Sequence, residues 1–124
     1  MTAAVVEPIE KARVLTDAVA RIAELWGLSN ARLGAILGVS MATASRLRSG
    51  QSQLDPASKS HEAAQFLLRL FRSLDALLGS DDVAAKSWLA TENLDLGGKP
   101  IAQIETMRGL MAVCDYVDFY RARV

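Results

Sequence analysis

Arg46 has the most specific chemistry in the chain if it stands on the outside of a helix, because a guanidinium reads guanine through two parallel hydrogen bonds. The stretch NARLGAILGVSMATASRLRS, residues 30–49, supplies such a helix. Ser40 is a capping hydroxyl and Gly50 a C-terminal stop, so the pattern predicts a short helix from about Met41 to Ser49. Its outer face carries Met41, Ala42, Ser45, Arg46 and Ser49, of which Met41 or Ala42 can pack on a thymine methyl. Ser40, Thr43 and Gln51 are short polar groups suited to phosphate oxygens, and Asn30 opens the preceding helix where a backbone phosphate passes. Arg32 is a further candidate phosphate contact. The chemistry is recognition of duplex DNA rather than reaction.

Two short helices can present that face only if they pack closely. Leu33, Leu37, Val39, Ala44 and Leu47 fall where a helix-turn-helix must face its core, Gly34 is the small residue expected where the helices cross, and Gly38 supplies the positive φ of the turn. An αα-hairpin inside a bundle is the bland alternative. Charge favours DNA: residues 30–60 hold four basic side chains against one acidic, whereas residues 80–124 hold five against seven. The whole chain is neutral, with 14 Lys+Arg and 14 Asp+Glu, so it does not coat nucleic acid by bulk charge.

At 124 residues and 51% apolar composition, the chain suits one compact domain or two very small ones sharing a core, with enough apolar surface for a subunit interface. Leu15, Val19, Ile22 and Trp26 recur at helical spacing between Pro8 and Gly27. Ser29 caps the next helix and Gly38 ends it. Asp55 and Pro56 read as the cap and first turn of a long helix to Leu78, stopped by Gly79. Its apolar residues Ala63, Phe66, Leu67, Leu70, Phe71, Leu74, Leu77 and Leu78 cover more than one face, so this helix is either central or part of a dimer interface. Ser80 reads as the cap of another helix that buries Val83, Trp88 and Leu89. After Gly97, Gly98 and Pro100, IAQIE forms one or two turns, and Thr106 caps a last helix through Leu110, Val113, Val117 and Tyr120. No segment alternates as a strand does. The expected fold is all-α, an N-terminal helix-turn-helix bundle continuous with a small C-terminal helical domain, divided as 1–54, a long linking helix 55–79, and 80–124.

With the helices placed, the resemblance can be named. Leu33-Gly34 and Leu37-Gly38-Val39-Ser40, with Thr43, Ser45, Arg46 and Gly50, resemble the Cro-type helix-turn-helix of Xre regulators. The segment SWLATENLDLGGKPIAQIETMRG resembles the toxin-binding domain of Xre/MbcA/ParS antitoxins through Trp88-Leu89, Asn93, Leu96-Gly97-Gly98, Pro100, Thr106 and Gly109, in that order. The resemblance implies an antitoxin that binds its own promoter and neutralises a partner encoded beside it, commonly a RES-domain toxin that consumes NAD, as a homodimer within a larger complex. Trp88, Asn93, Gly97, Gly98, Pro100 and Thr106 are then the toxin-binding candidates. The ending DFYRARV departs from the small Gly-containing ending of many relatives. Beyond Tyr120, Arg121, Arg123 and the Val124 carboxylate are read either as a short, mobile, doubly basic tail, whose arginines meet acidic residues bordering a toxin's anion-binding pocket or whose carboxylate fills its phosphate site, or as a frayed helix end that leaves the toxin to residues 88–109.

The remaining residues argue against catalysis, metals and cofactors. His61 and Cys114 are each the single residue of their type, too few for a His/Cys zinc site or an internal disulfide. His61 reads as a partly exposed helical histidine rather than a phosphate contact, and Cys114 as a small buried hydrophobe. Arg48 lies on solvent or pairs with Asp55. Trp88 is core or an exposed anchor. Glu92, Asp95, Asp115 and Asp118 lack a His or Lys network and read as solvated surface. The apolar run before Glu7 and Pro8 is too short for a signal-peptide core, and no stretch reaches the ~20 residues of a membrane span, so a cytoplasmic protein is expected. Three functions fit: a DNA-binding antitoxin, a stand-alone repressor, and an interaction module whose helix-turn-helix no longer binds DNA.

Overall fold

The computed structural model describes residues 3–123, and side chains from Pro8 onward. Seven helices occupy these residues: α1 (Ala3–Leu25), α2 (Asn30–Leu37), α3 (Met41–Ser49), α4 (Lys59–Leu77), α5 (Asp82–Ala90), α6 (Pro100–Gln103) and α7 (Met107–Arg121). No strand occurs among the described residues, where the only ladder pairing is a bridge between Asn93 and Gly98. The all-α expectation holds.

The long helix α4 is the centre, which decides between the two roles its sequence left open. Ala63, Ala64, Leu67, Leu70 and Leu74 are buried along it, and α1, α2, α5 and α7 pack around it. The α1 residues Leu15, Val19, Ile22 and Trp26 join one continuous apolar core with Leu33, Leu37, Ala44 and Leu47 from the helix-turn-helix and Leu89, Leu110, Val113 and Val117 from the C-terminal half. Val39 packs half-buried against it. Helix α3 and the C-terminal half therefore share one folding unit, and burial of this apolar surface supplies its main stabilisation.

Three helix starts differ from the sequence reading. Helix α1 begins at Ala3 and runs through Pro8 instead of starting there. Asp55 and Pro56 do not open α4. The Asp55 carboxylate accepts from Ala57 N–H at 2.9 Å in a local turn, and Ser58 caps the helix by accepting from His61 N–H at 3.1 Å. Ser80 does not cap α5 either. Its φ is +61°, its hydroxyl donates to Asp75, and Asp81 caps by accepting from Ala84 N–H at 3.0 Å. In the last two places nearby residues, three apart at α4 and adjacent at α5, compete for the cap, and the chain's exit from the preceding turn decides which one wins.

Polar ties fix the helices laterally. The buried Thr16 hydroxyl donates to Ala12 O at 2.7 Å and accepts from Leu54 N–H at 3.0 Å, pinning the loop after α3 to α1. Between α4 and α7, Asp118 accepts from Arg69 Nε at 2.7 Å and from the Ser73 hydroxyl, and Arg121 in turn donates to Ser73 at 3.3 Å. Partial burial opposes ionisation of Asp118, but the Ser73 and Arg69 hydrogen bonds and the charges of Arg69 and Arg121 outweigh it and hold the carboxyl below its ordinary range. A depressed carboxyl contributes stability that is full above the unfolded-state value of about 3.9 and is lost as pH falls through the lower folded value. Asp118→Asn is thus expected to cost about 1–2 kcal/mol at pH 7, the worth of a partly solvated charge-assisted network. Thermal melts at decreasing pH check this: the gap between wild type and variant should shrink below about pH 4. A gap independent of pH would mean that the charge on Asp118 does not contribute.

Candidate functional site

Local capping builds the helix-turn-helix. Ser29 accepts from Arg32 N–H at 3.1 Å to start α2, and Gly38 ends it in the left-handed region at φ +73°. Ser40 starts α3 by accepting from Thr43 N–H at 3.0 Å, and Gly50 closes it at φ +80°. Gly34 is needed for a reason sharper than helix crossing. A Cβ there would lie 2.7 Å from Val39 O and 3.2 Å from Ser40 O, so the backbone of the turn itself occupies the space. The sequence reading asked for a small residue at this point, and the geometry excludes even a methyl group.

The outer face of α3 is open. Met41 is 60% exposed, and Ala42, Ser45, Arg46, Ser49 and Gln51 are exposed with it. Arg46 donates to Thr43 Oγ1 at 3.1 Å, and the Ser40 hydroxyl donates to the same oxygen at 2.9 Å. This chain of bonds steadies the guanidinium near the N-terminal end of α3, the end that a helix-turn-helix offers to base edges. Arg48 does neither of the things expected of it. It turns inward, donating to Leu28 O and, at 3.3 Å, to Asn30 Oδ1, and so fastens α3 to the start of α2. Half-buried Asn30 therefore has its oxygen engaged. Arg32 lies with Nε 3.5 Å from the Glu105 carboxylate, so a phosphate would compete with that partner.

The second set of residues builds a loop. Asn93 N–H donates to Gly98 O at 2.9 Å, Gly97 N–H donates to Asn93 O at 2.9 Å, and Asn93 Oδ1 accepts from Leu96 N–H at 3.1 Å. Gly97 has φ +77°, which side chains disfavour. Gln103 donates to Leu96 O at 2.6 Å, tying the loop to α6, which buried Pro100 opens. Thr106 caps α7 by accepting from Gly109 N–H at 3.0 Å. These residues set the backbone, and the side chain they display is Leu94, 94% exposed. The sequence reading did not single it out. Its signal was a leucine set between Asn93 and Asp95, one of two in the segment TENLDLGGKP.

Beside that loop runs an aromatic ladder. Trp88, half-buried, stacks on Tyr116 with centroids 6.4 Å apart, and the Tyr116 hydroxyl donates to Asp95 at 2.9 Å. Tyr116 meets Tyr120 at 4.9 Å, Tyr120 meets Phe119 at 5.4 Å, and Arg123 lies over Phe119 at 4.3 Å. The doubly basic tail is not a free pair of charges: Arg121 belongs to α7 and bonds back to Ser73, while Arg123 rests on its own ring partner. Val124 lies outside the described residues.

Cys114 is buried, its thiol pushed up to about 11 by desolvation, and it donates to Phe66 O at 3.2 Å. Among the described residues no group of three or more His, Cys, Asp or Glu converges as metal ligands would, and no helix is long and apolar enough to cross a membrane.

The model of the antitoxin Xre-like helix-turn-helix domain matches residues 6–79, and that of the antitoxin Xre/MbcA/ParS C-terminal toxin-binding domain matches residues 73–123. No curated protein matches the chain. The overlap of the two matches falls on the end of α4, the helix whose core both halves share. With an open recognition helix and a toxin-binding half matched in the order of that family, the chain belongs to the Xre/MbcA/ParS-type antitoxins of toxin-antitoxin systems.

Proposed function

We propose that this antitoxin neutralises a RES-type, NAD-consuming toxin encoded beside it and represses their common operon by binding the promoter as a homodimer in the cytoplasm, with no reaction of its own. The observation that carries this reading is the pairing of an open α3 face with a toxin-binding half on one core. Residues 1–54 serve the DNA, 55–79 link, and 80–124 serve the toxin. Exposed Ile9 and Val14 on α1, at 55% and 57%, leave apolar surface that a second copy can cover. Two recognition helices then meet half-sites spaced by about one helical turn, ~34 Å, or a multiple of it. At the other end, Arg123 meets acidic residues that border the toxin pocket holding the NAD pyrophosphate.

Fluorescence anisotropy on the upstream DNA and on random DNA tests the DNA half. Arg46→Ala is expected to cost about 1–3 kcal/mol on the operator and to relax preference at one base position. Arg32→Ala, freed of Glu105 but lost to phosphate, should weaken both DNAs alike and lower the salt slope by about one unit. Equal losses on both DNAs for Arg46→Ala would remove it as a base reader, and a wild type that ignores the upstream DNA would remove promoter repression.

A further inference from the structure

Leu94 is the anomaly of the surface. A leucine 94% exposed gains nothing in the folded monomer, yet the loop beneath it is held by the Asn93–Gly98 bridge, the Asn93 side chain and Gln103. Rigid display of an apolar side chain is what a protein contact needs, since little conformational entropy is then lost on docking. The neighbouring residue Asp95 is bonded to Tyr116, so the loop is joined to the ladder that continues through Tyr120, 41% exposed, to Phe119, 52% exposed. Aromatic residues dominate the energetic centres of protein interfaces. Glu92 and Asp95, both exposed, flank the leucine and give its end of the patch an acidic edge, whereas Arg123 lies over Phe119 at the other end.

We propose that Leu94, with Tyr120 and Phe119, is the anchor by which this antitoxin docks on its toxin, and that the toxin's matching surface is an apolar recess with a basic rim where it meets Glu92 and Asp95. The proposal rests on residues 73–123 being toxin-binding, and it adds which face makes the contact and the chemistry of the surface it meets. It also separates the roles of the loop: Asn93, Gly97 and Gly98 hold the shape, and Leu94 enters the partner. The acidic edge complements the basic rim, which steers the encounter and fixes orientation.

The test uses the full chain and the purified product of the adjacent gene, with affinity measured calorimetrically. Leu94→Asp should weaken binding at least about 30-fold, the fold-change of an interface hot spot. Val83→Asp is the matched control: Val83 is 78% exposed on α5, about 140° round that helix from Trp88, and should change affinity less than about threefold. Both variants should keep wild-type circular dichroism and promoter affinity, because neither side chain is buried and α2 and α3 are untouched. Tyr120→Ser provides a second route to the same loss, and Glu92→Lys should weaken binding more at low salt than at high salt. If Leu94→Asp and Tyr120→Ser bind like wild type, or if Val83→Asp weakens binding as much as Leu94→Asp, the docking face is overturned while toxin binding stands. Tighter binding by Glu92→Lys overturns the basic rim. If the wild-type chain itself does not bind the adjacent product, the reading beneath the proposal fails, and the proposal falls with it.

Discussion

Gly109→Ala is expected to lower stability by about 3 kcal/mol or more, although alanine is the better helix former. Intrinsic propensity favours alanine over glycine inside a helix by about 1 kcal/mol, so a position governed by propensity would gain. Gly109 is governed by space. A Cβ there would sit 1.8 Å from Gln103 O and 2.7 Å from Gln103 C, and these are backbone atoms of the α6 corner that no rotamer change can move. The strain cannot stay local, because Gln103 also holds Leu96 O and through it the loop that displays Leu94, while Leu110, the next residue, is fully buried. Relief requires α7 to withdraw from the corner, at a cost at or above the upper end of ordinary overpacking. Urea unfolding measures the loss, and toxin binding should weaken with it. A raised urea midpoint would show that the α6–α7 corner is looser than described.

Gly34→Ala is expected to cost about 2–3 kcal/mol by the same opposition of propensity and space. The obstructing atom is Val39 O, 2.7 Å away, in a turn held by the hydrogen bond from Val39 N–H to Gly34 O at 2.9 Å. To admit a methyl group the turn must open, and α3 swings away with it. Gly34→Leu enlarges the conflict and should abolish operator binding at protein concentrations where the wild type saturates. Unfolding curves and anisotropy on the upstream DNA measure the two effects. A normally folded Gly34→Leu protein with intact DNA affinity would refute the helix-turn-helix itself.

Why these two glycines differ in legibility is instructive. Gly34 could be marked from sequence because the helix-turn-helix is local: Ser29, Gly38, Ser40 and Gly50 each act within a few residues, and their caps stand where the sequence places them. Gly109 entered the reading only through resemblance, since its obstruction comes from a corner built by Gln103 and Thr106. Distance in sequence, by contrast, hides the contact of Arg48, whose partners Leu28 O and Asn30 lie 20 and 18 positions away and leave no periodic trace. Failure at the starts of α4 and α5 had another cause. Asp55 and Ser58, and likewise Ser80 and Asp81, are all capable caps, and only the path of the preceding turn selects one. In the C-terminal half, resemblance marked Asn93, Gly97, Gly98 and Thr106 as toxin-binding candidates. Their hydrogen bonds also build the loop, and Leu94, which the reading passed over, is the side chain that the loop exposes.

Growth after induction of the adjacent reading frame, alone and together with this chain, tests antitoxin function most directly. The account predicts arrest when the neighbour is expressed alone and recovery when both are expressed, with Arg46→Ala rescuing as well as wild type because α3 lies outside the toxin-binding half. Arrest that persists in the presence of the wild-type chain would contradict it.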